Sequence, residues 1–431
     1  MKKIFAISVT ALLFLIPAAA QAEFSGTAEI GFSANITDGD FDSLLNPGNM
    51  MEMKDLSMNT SLIARFDAGD EKTTFSAWFS LKEYPIGQAL MASAYNSDTF
   101  PDPDSVTLAA TGEVIALAGD TIFSLDIMRF SANVALGDSV SLIVGRQSML
   151  TGYGYGWNPI DFANPLKDPS DPDTALRGVD ALAFSADFGY IANLKVYGIL
   201  PDDLLASGID FEEIKGGGEL TFYLPGFEVK LTGLYDYDAA EGSDAYVPSL
   251  GAGFLADLFG LGFYGEAAVR KGSRNNFVDG TDLSRKTEWI FSALAGVEYT
   301  FPSELYAVVE YFYNGEGYDN DERNEIEAAM ALSPTTDLMS MYRSGYFARH
   351  YIMLSLMQPL YSINTDLNLT AIFSPDSGAL MILPSVSYNF SGNFSGRIEY
   401  SGLFDLYNDG FSEVSALPVK HIISTVFTYS Y

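Results

Sequence analysis

Apolar and polar residues alternate with a period of two along most of the chain. In the first such segment, apolar or small residues occupy every second position from Phe24 to Ile36, and Ser, Thr, Glu, Gly and Asn lie between them. Successive side chains of a strand point to opposite faces, so this pattern predicts a strand with one apolar and one polar face. The same alternation returns over 227–237, 289–299, 305–313, 380–390 and 419–431. The chain is therefore predicted to be all-β.

Short turn signals and longer polar connections alternate strictly between the predicted strands. The short turns fall at 67–72, 137–139, 189–190, 225–226, 259–260, 302–303, 359–363 and 391–393. The longer connections fall at 37–54, 85–121, 148–177, 201–215, 238–248, 272–287, 315–345 and 405–416, with one tight exception at 375–378. A closed transmembrane barrel has short turns at one rim and long loops at the other.

This alternation predicts a closed antiparallel transmembrane β-barrel of about 18 strands, with short periplasmic turns and long extracellular loops. The weakest strands are 140–147 and 346–358, and without them the count falls to 16. A soluble β-sandwich is the alternative, because its strands also alternate. The apolar faces of the predicted strands carry almost no charged side chains, which favours the barrel.

Composition narrows the class of protein further. Hydrophobic residues make up 48% of the 431 residues and charged residues 18%, and there is no Cys, which excludes disulfides, iron–sulfur clusters and cysteine-based zinc sites. Residues 1–22 combine Lys2-Lys3, an apolar stretch and the small-residue end Ala20-Gln21-Ala22, and they predict a cleaved signal peptide. Residues 23–431 are predicted to form one barrel domain.

The net charge is strongly negative. Removal of residues 1–22 takes away two lysines and no acid, so the net charge changes from −33 to −35. Such a surface repels nucleic acid phosphates, which excludes a nucleic acid partner. The acidic residues, Asp and Glu, are concentrated in the long connections, where they would attract cations. One of these connections, 315–345, predicts a short helix from Glu325 to Leu332 that caps the loop rim.

Charged residues also fall on the polar faces of the strands, and they predict a hydrated barrel interior. A barrel of about 18 strands is too wide for its own side chains to fill, so water or an inserted loop must occupy it. The candidates for lining this interior are Arg65, Arg129, Glu219, Lys230, Glu266, Arg270, Glu298, Glu310, Arg397 and Glu399. Each of them could equally form a structural cross-strand pair.

The most distinctive stretch lies between two strands. The strand end Gly145-Arg146-Gln147 leads into a run of alternating Gly and Tyr, then Trp157-Asn158-Pro159-Ile160-Asp161, and the next strand starts at Arg177-Gly178. Glycines beside aromatics, with Asn-Pro and Asp-Pro turns, predict a compact and rigid loop that can fold inward and narrow a pore. The candidates for this constriction are Tyr153, Tyr155, Trp157 and Asp161.

These residues resemble the corresponding stretch of bacterial outer-membrane porin-like barrels. The resemblance covers the signal peptide, the barrel pattern and the terminal Phe427, Tyr429 and Tyr431. It implies an outer-membrane location in a diderm bacterium and a water-filled channel for passive diffusion of small hydrophilic solutes. A last strand that ends in an aromatic residue looks like the signal read by the barrel assembly machinery. Outer-membrane lipids are the expected surroundings, and association of barrels with one another stays open.

Two other functions stay open. A surface adhesin or structural protein would use the acidic loops, with divalent cations as bridging partners. An outer-membrane hydrolase would need His350 or His421 directed inward beside a nucleophile or carboxylate, and their spacing does not indicate this. Asp168, Asp171 and Asp173 are interpreted as solvated turn carboxylates rather than a calcium site, because a glycine and a bidentate Glu are missing. No catalytic residue, cofactor or resident metal is predicted, and the channel is expected to prefer cations.

Overall fold

The structure is a computed structural model of the chain. It describes residues 21–36, 41–49, 53–85, 106–108, 114–118, 121–174, 176–200, 214–238, 245–280, 282–332, 338, 341–407 and 411–431. The predicted signal peptide lies outside these residues, apart from Gln21 and Ala22. In the described part of the chain, no helix has the length and apolar character needed to cross a membrane.

Strands dominate the described residues. They are β1 (Gln21–Ile36), β2 (Leu56–Gly69), β3 (Thr73–Pro85), β4 (Val106–Leu108), β5 (Val114–Ala118), β6 (Thr121–Ala135), β7 (Val140–Gln147), β8 (Val179–Phe188), β9 (Ala192–Ile199), β10 (Lys215–Leu224), β11 (Phe227–Asp238), β12 (Ala245–Leu258), β13 (Leu261–Lys271), β14 (Asn276–Asp279), β15 (Asp282–Arg285), β16 (Trp289–Thr300), β17 (Tyr306–Tyr313), β18 (His350–Leu360), β19 (Thr365–Phe373), β20 (Ala379–Ser391), β21 (Phe394–Asp405) and β22 (His421–Ser430). One α-helix, α1 (Asn320–Leu332), and the short 3-10 helices Pro47–Asn49 and Tyr361–Ile363 accompany them.

Eighteen of these strands form a closed antiparallel barrel. Each pairs with the next along the chain, except that β4, β5, β14 and β15 stand outside this circuit. β1 pairs with β2 on one edge and with β22 on the other, from Thr27 opposite Ser430 to Ile36 opposite His421. This pairing leaves the circuit without a free first or last edge. The predicted fold and the count of 18 strands are confirmed, and the weak strands are present as β7 and β18.

The connections sort into two rims, as the sequence predicts. Eight turns of two to five residues join β2–β3, β6–β7, β8–β9, β10–β11, β12–β13, β16–β17, β18–β19 and β20–β21. The other connections, all at the opposite rim, are longer except the tight 374–378 between β19 and β20. We call the first the turn rim and the second the loop rim.

Two predicted long connections contain strands that the sequence pattern did not indicate. Within 85–121, β5 pairs with residues 121–125 of β6, an edge that β7 does not reach because β7 pairs only with residues 130–135. An unpaired strand edge exposes backbone hydrogen-bond donors and acceptors, and β5 supplies partners for those of β6. Within 272–287, β14 and β15 form a hairpin around Gly280.

The two faces of the barrel wall differ as the alternation requires. On β17, Val309 and Tyr311 point outward and are exposed, whereas Val308, Glu310 and Phe312 point inward and are buried. Large apolar side chains also stand exposed on the outer face of other strands: Ile30, Phe32, Leu62, Leu81, Leu125, Leu182, Phe222, Leu231, Phe254, Phe291, Ile352, Leu367, Val386, Ile398 and Phe427. An apolar exterior on a closed barrel is the surface that faces lipid in outer-membrane barrels.

The loop rim carries a small hydrophobic core of its own. Its buried members come from several connections: Leu45, Phe277, Tyr318, Ile326, Met330, Leu338, Met341, Tyr342, Phe347, Phe411 and Ala416. The buried guanidinium of Arg323 on α1 donates to the carbonyl oxygens of Tyr318, Phe411 and Asp376. The loops are thus tied into one packed unit, which we call the cap.

The helix of the cap begins five residues earlier than the sequence predicts. Asp319 Oδ1 accepts from the backbone N of Glu322 at 3.0 Å, and Glu322 Oε2 accepts from the backbone N of Asp319 at 2.9 Å. This reciprocal capping box satisfies two backbone donors of the first turn. The capping pair therefore starts the helix ahead of the predicted segment, while Ile326 and Met330 lie on its buried side.

Candidate functional site

The segment between β7 and β8 lies inside the barrel. Its residues contact side chains on the inner faces of β10, β13 and β17, on the far side of the interior from β1. We call residues 148–178 the inner loop. The Gly-Tyr-rich stretch, which the sequence predicts only to be rigid and able to fold inward, forms the first part of this loop.

Two carboxylates of the barrel wall hold the backbone of the inner loop. Glu266 on β13 accepts hydrogen bonds from the backbone N–H groups of Tyr153 and Gly154. Glu310 on β17 accepts from the backbone N–H groups of Tyr155 and Gly156. Both glutamates are almost fully buried. Because four consecutive backbone N–H groups donate to these two side chains, the glutamates fix the path of the loop.

The glycines of the loop and wall permit this close approach. A Cβ on Gly156 would lie 2.8 Å from Cε of Met353 on β18, and a Cβ on Gly251 of β12 would lie 2.8 Å from Cγ2 of Ile160. Both distances are shorter than real Cβ contacts. Gly156 therefore permits close contact with the wall, whereas a Cβ on Gly154 would meet the carbonyl oxygen of Trp157 within the loop itself.

Trp157 is the main apolar anchor of the inner loop. Its side chain is fully buried and packs with the rings of Phe312 and Tyr351 at centroid distances of 5.3 and 5.6 Å. Its Nε1 donates to the carbonyl oxygen of Gly345, a residue of the cap, at 2.9 Å. One side chain thus joins the inner loop to the barrel wall and to the cap.

The remaining predicted constriction residues are also held in place. The Tyr153 hydroxyl donates to Glu228 Oε1 at 2.7 Å, and Lys230 Nζ lies 5.0 Å from the centre of its ring. The Tyr155 ring has Lys167 Nζ at 5.9 Å. Asp161 is buried, and both of its carboxylate oxygens accept from Asn164 Nδ2.

Burial changes the ionisation of two charged groups in the inner loop. The pKa of Asp161 is raised because burial disfavours the charged carboxylate, although hydrogen bonds from Asn164 oppose this shift. The pKa of Lys167 is lowered because burial disfavours the ammonium, although the charge of Glu310 opposes this shift. Both shifts follow from the packing of the loop against the wall.

The opposite wall contacts the end of the inner loop, where Arg177 Nε lies 3.0 Å from Asp126 Oδ1 of β6. On β2, β3 and β6, Arg65, Trp78 and Arg129 lie side by side in register. The guanidinium carbons of Arg65 and Arg129 lie 4.5 and 3.9 Å from the centre of the Trp78 ring. On β21, the side chains of Arg397 and Glu399 are 45% and 30% exposed, with Nε and Oε2 3.9 Å apart. These groups border the part of the interior that the loop leaves to solvent.

The structure divides the ten predicted interior residues into three sets. All ten lie on inward faces of barrel strands, but they do not form one cluster. Arg65, Arg129, Arg397 and Glu399 lie on the wall opposite the loop anchors. Glu266 and Glu310 hold the loop, and the other four pair with neighbours: Glu219 with Thr151 and Lys230, Arg270 with Asp236, and Glu298 with the hydroxyl of Tyr306.

Sequence reasoning missed several residues that shape the site. Trp78 falls on an inward position of a strand whose pattern reads Phe75, Ala77 and Phe79 for the outer face, so its direction could have been found from the alternation. Tyr351 and Gly345, by contrast, meet Trp157 only through contacts between distant segments. No local signal identifies such partners.

Both histidines lie on the outer face near the loop rim. His350 Nδ1 is 2.7 Å from the Tyr311 hydroxyl, and His421 Nδ1 is 2.8 Å from the Tyr400 hydroxyl. Neither imidazole is therefore placed for the inward chemistry that the hydrolase hypothesis requires. Across the described ranges, no group of three or more His, Asp or Glu side chains is placed to hold a metal ion. Asp168 instead accepts from the backbone N and hydroxyl of Ser170, as a turn carboxylate does.

Comparison with known proteins adds a likeness in fold. No family model matches the chain, and no curated protein matches its sequence. Among solved structures, OccAB4 of Acinetobacter baumannii is similar with a TM-score of 0.50 and 10% sequence identity, over 95% of this chain and 98% of that one. OmpF of Salmonella typhi, in complex with daunomycin, has a TM-score of 0.46 and 11% identity, with 95% and 97% covered. A variant of the Rhodopseudomonas blastica porin has a TM-score of 0.45 and 10% identity, with 95% and 100% covered.

The architecture identifies the class of barrel. Eighteen antiparallel strands close on themselves, the exterior is apolar, the interior is polar, and turns and loops are sorted to opposite rims. Within a bilayer, only helices and closed barrels satisfy every backbone polar group, and a barrel with these rims is of the outer-membrane type. The chain therefore folds as a porin-like outer-membrane β-barrel.

Proposed function

We propose that the protein is a channel for passive diffusion of small hydrophilic solutes, with the inner loop as its constriction. The observation that carries this proposal is the anchoring of the loop to one wall by Glu266 and Glu310. A loop held in this way narrows the interior without filling it, because the opposite wall keeps charged side chains in contact with solvent. A barrel of this width needs such a loop or an aqueous channel.

We further propose that the channel prefers cations. Asp168, Asp171 and Asp173 are exposed on the inner loop, and Asp171 lies within electrostatic reach of Glu399 across the interior. The acidic long connections at the loop rim raise the local concentration of cations at the entrance. Arg65 and Arg129 oppose this preference on the far wall, so solutes that carry both charges can align between the two sides.

Electrophysiology in planar bilayers tests the proposal. The purified protein should give stepwise conductance, with a reversal potential biased toward the cation in a salt gradient. The double substitution Asp171→Asn, Asp173→Asn should shift the reversal potential toward zero. Asp138→Asn is the matched control, because Asp138 lies in the β6–β7 turn at the far rim and should leave selectivity unchanged. Absence of conductance at every voltage would contradict the channel.

The cap supports a second candidate, a surface that binds a host or cell-envelope partner. Loops that fold into a common core present a fixed surface rather than a set of independent loops. Deleting 320–342 removes α1 from this core. Loss of partner binding with unchanged conductance would favour the contact function, whereas changed conductance with no loss of binding would favour permeation.

Two partners follow from the same proposal. We propose that β22, which ends in outward-facing Tyr429 before Tyr431, is recognised by the barrel assembly machinery. Replacing both tyrosines with Ser should then slow assembly into the membrane without changing the conductance of the barrels that form.

Association of barrels with one another is a further proposal, which the mass of the detergent-extracted complex would test.

A further inference from the structure

The turn rim is not uniform in its chemistry. The β2–β3 turn consists of Asp70, Glu71 and Lys72, all exposed. Three neighbouring turns, β8–β9, β10–β11 and β12–β13, have no charged residue at their tips, 189–191, 225–226 and 259–260. We call these three the apolar turns.

Large side chains of the apolar turns stand fully out of the protein. Tyr190 is 98% exposed, Ile191 68% and Phe259 101%. Phe259 also has a φ of +59°, in the left-handed region that favours Gly and Asn. A two-residue hairpin loop of type I′ requires a positive φ at both central positions, and Gly260 follows with a φ of +78°, so the turn itself holds the Phe259 ring away from the protein.

The apolar turns continue the lipid-facing surface of the strands that they join. Phe188 at the end of β8, Leu224 at the end of β10 and Leu258 at the end of β12 are all more than half exposed. Together with the turn tips they extend the apolar exterior to the very end of the barrel wall. Around the β2–β3 turn, by contrast, the exterior ends in charged groups.

Strand length supports a boundary position for the β8–β9 turn. β8 and β9 have 10 and 8 residues, whereas β2 and β3, which flank the charged turn, have 14 and 13. A tilted transmembrane strand needs about 9 to 11 residues to cross the hydrocarbon core, so the β8–β9 turn lies at its boundary. β12 has 14 residues, and at the β12–β13 turn the apolar tip itself, Phe259, continues the lipid-facing surface.

We propose that the apolar turns insert into the phospholipid leaflet at the turn rim and anchor this sector of the barrel at the boundary between headgroups and acyl chains. Tyr190 supplies a ring with a polar tip, which suits that boundary, and Ile191 and Phe259 supply apolar area. The β2–β3 turn stands in water. The inference rests on the membrane location of the barrel.

Site-directed labelling tests this directly, because the chain has no native Cys. Single variants Tyr190→Cys, Phe259→Cys and Glu71→Cys would carry an environment-sensitive fluorophore in barrels refolded into phosphatidylcholine vesicles. Quenching by lipids with a nitroxide near the headgroup should be several-fold stronger at 190 and 259 than at 71. Quenching by aqueous iodide should show the reverse order.

Two further positions keep the outcome interpretable. Leu231→Cys, on the outer face in the middle of β11, must be quenched by lipid nitroxides. If it is not, the membrane placement of the barrel fails rather than the role of the turns. Ile191→Cys replaces Tyr190→Cys if the latter does not fold. Equal iodide access at 71, 190 and 259 would overturn the proposal, and shielding of 190 and 259 from both quenchers would overturn it in favour of a protein contact.

Discussion

Two walls of the same barrel use inward-facing charge in different ways. On the wall formed by β10 to β18, Glu219, Glu266 and Glu310 are covered by the inner loop and hydrogen-bonded to it. On the wall formed by β2, β3, β6 and β21, Arg65, Arg129 and Arg397 face the remaining space. We call these the anchoring wall and the open wall. An inward charge in a barrel can therefore be a structural anchor or a solvent-facing group, and only its partners distinguish the two.

The largest effect is expected when the anchoring wall loses its carboxylates. The double variant Glu266→Ala, Glu310→Ala leaves the backbone N–H groups of Tyr153 to Gly156 without their acceptors. Each buried backbone donor left without an acceptor costs about 1 to 3 kcal/mol, so the loop should leave the wall. Limited proteolysis should then cut within 148–178, and single-channel recordings should become noisier.

The matched control for that variant is Glu399→Ala on the open wall. It should alter selectivity and leave the inner loop as resistant to protease as in the unmodified protein. If the inner loop resisted protease equally well in the two variants, the distinction between the walls would be wrong.

A smaller effect is expected from Trp157→Ala. Removing a fully buried Trp leaves a cavity and typically costs about 3 to 5 kcal/mol. The loss also breaks the hydrogen bond to Gly345 and should loosen the inner loop and the cap together. Hydrogen exchange of residues 341–348, measured with and without the substitution, checks this coupling. Faster exchange confined to 148–178 would show that the cap is held independently.

The open wall should respond in selectivity rather than in loop stability. Arg129→Gln removes one of two positive charges beside Trp78 and a cation–π contact of about 0.5 to 2 kcal/mol. The reversal potential should move further toward the cation, by a modest amount, because Arg65 remains. Lys72→Gln, in the β2–β3 turn, is the control with the same loss of charge outside the interior. Equal shifts for the two variants would assign the effect to net charge alone.

The smallest effect is expected from pH, at the cap. Burial raises the pKa of Glu413 above its ordinary 4.5, although the Tyr351 hydroxyl and backbone N–H groups oppose this. The Glu413 carboxyl therefore holds its proton more tightly when the cap is packed on the barrel (docked) than when the cap has separated from it (undocked). The resulting stabilisation is complete below pH 4.5 and is lost as the pH rises through the raised pKa.

A fluorophore on Ser415→Cys, an exposed position of the cap, would report this transition. Undocking should increase with pH above 4.5. The added substitution Glu413→Gln, which keeps an acceptor oxygen but does not titrate there, should flatten the dependence. An unchanged pH profile in that variant would remove Glu413 as the cause.

Much of the fold could be predicted from the sequence because a barrel strand is defined by neighbours two residues apart. The alternation from Phe24 to Ile36 became β1, and the strict sorting of short and long connections gave both rims. The errors came where a local pattern was incomplete. β5 is placed by an edge of β6 that β7 leaves unpaired, and α1 starts early because Asp319 and Glu322 cap each other.

The candidate site was only partly predictable. The Gly-Tyr run indicated a rigid loop that can fold inward, and in the structure Gly156 lets the backbone approach the wall while Gly154 lets the loop fold back on Trp157. The role of each inward charge was not predictable. Glu310 and Glu399 occupy equivalent inward positions on their strands, and their different surroundings depend on where the inner loop lies.

The order of hydrophobic and polar residues was sufficient to specify an 18-stranded barrel, its two faces and its two rims, because each strand carries its own two-residue repeat and each turn its own residue types. The division of the interior into an anchoring wall and an open wall arose only when the chain closed. Glu266, Glu310 and Trp157 meet partners more than a hundred residues away, and contacts of that range have no local signature in the chain.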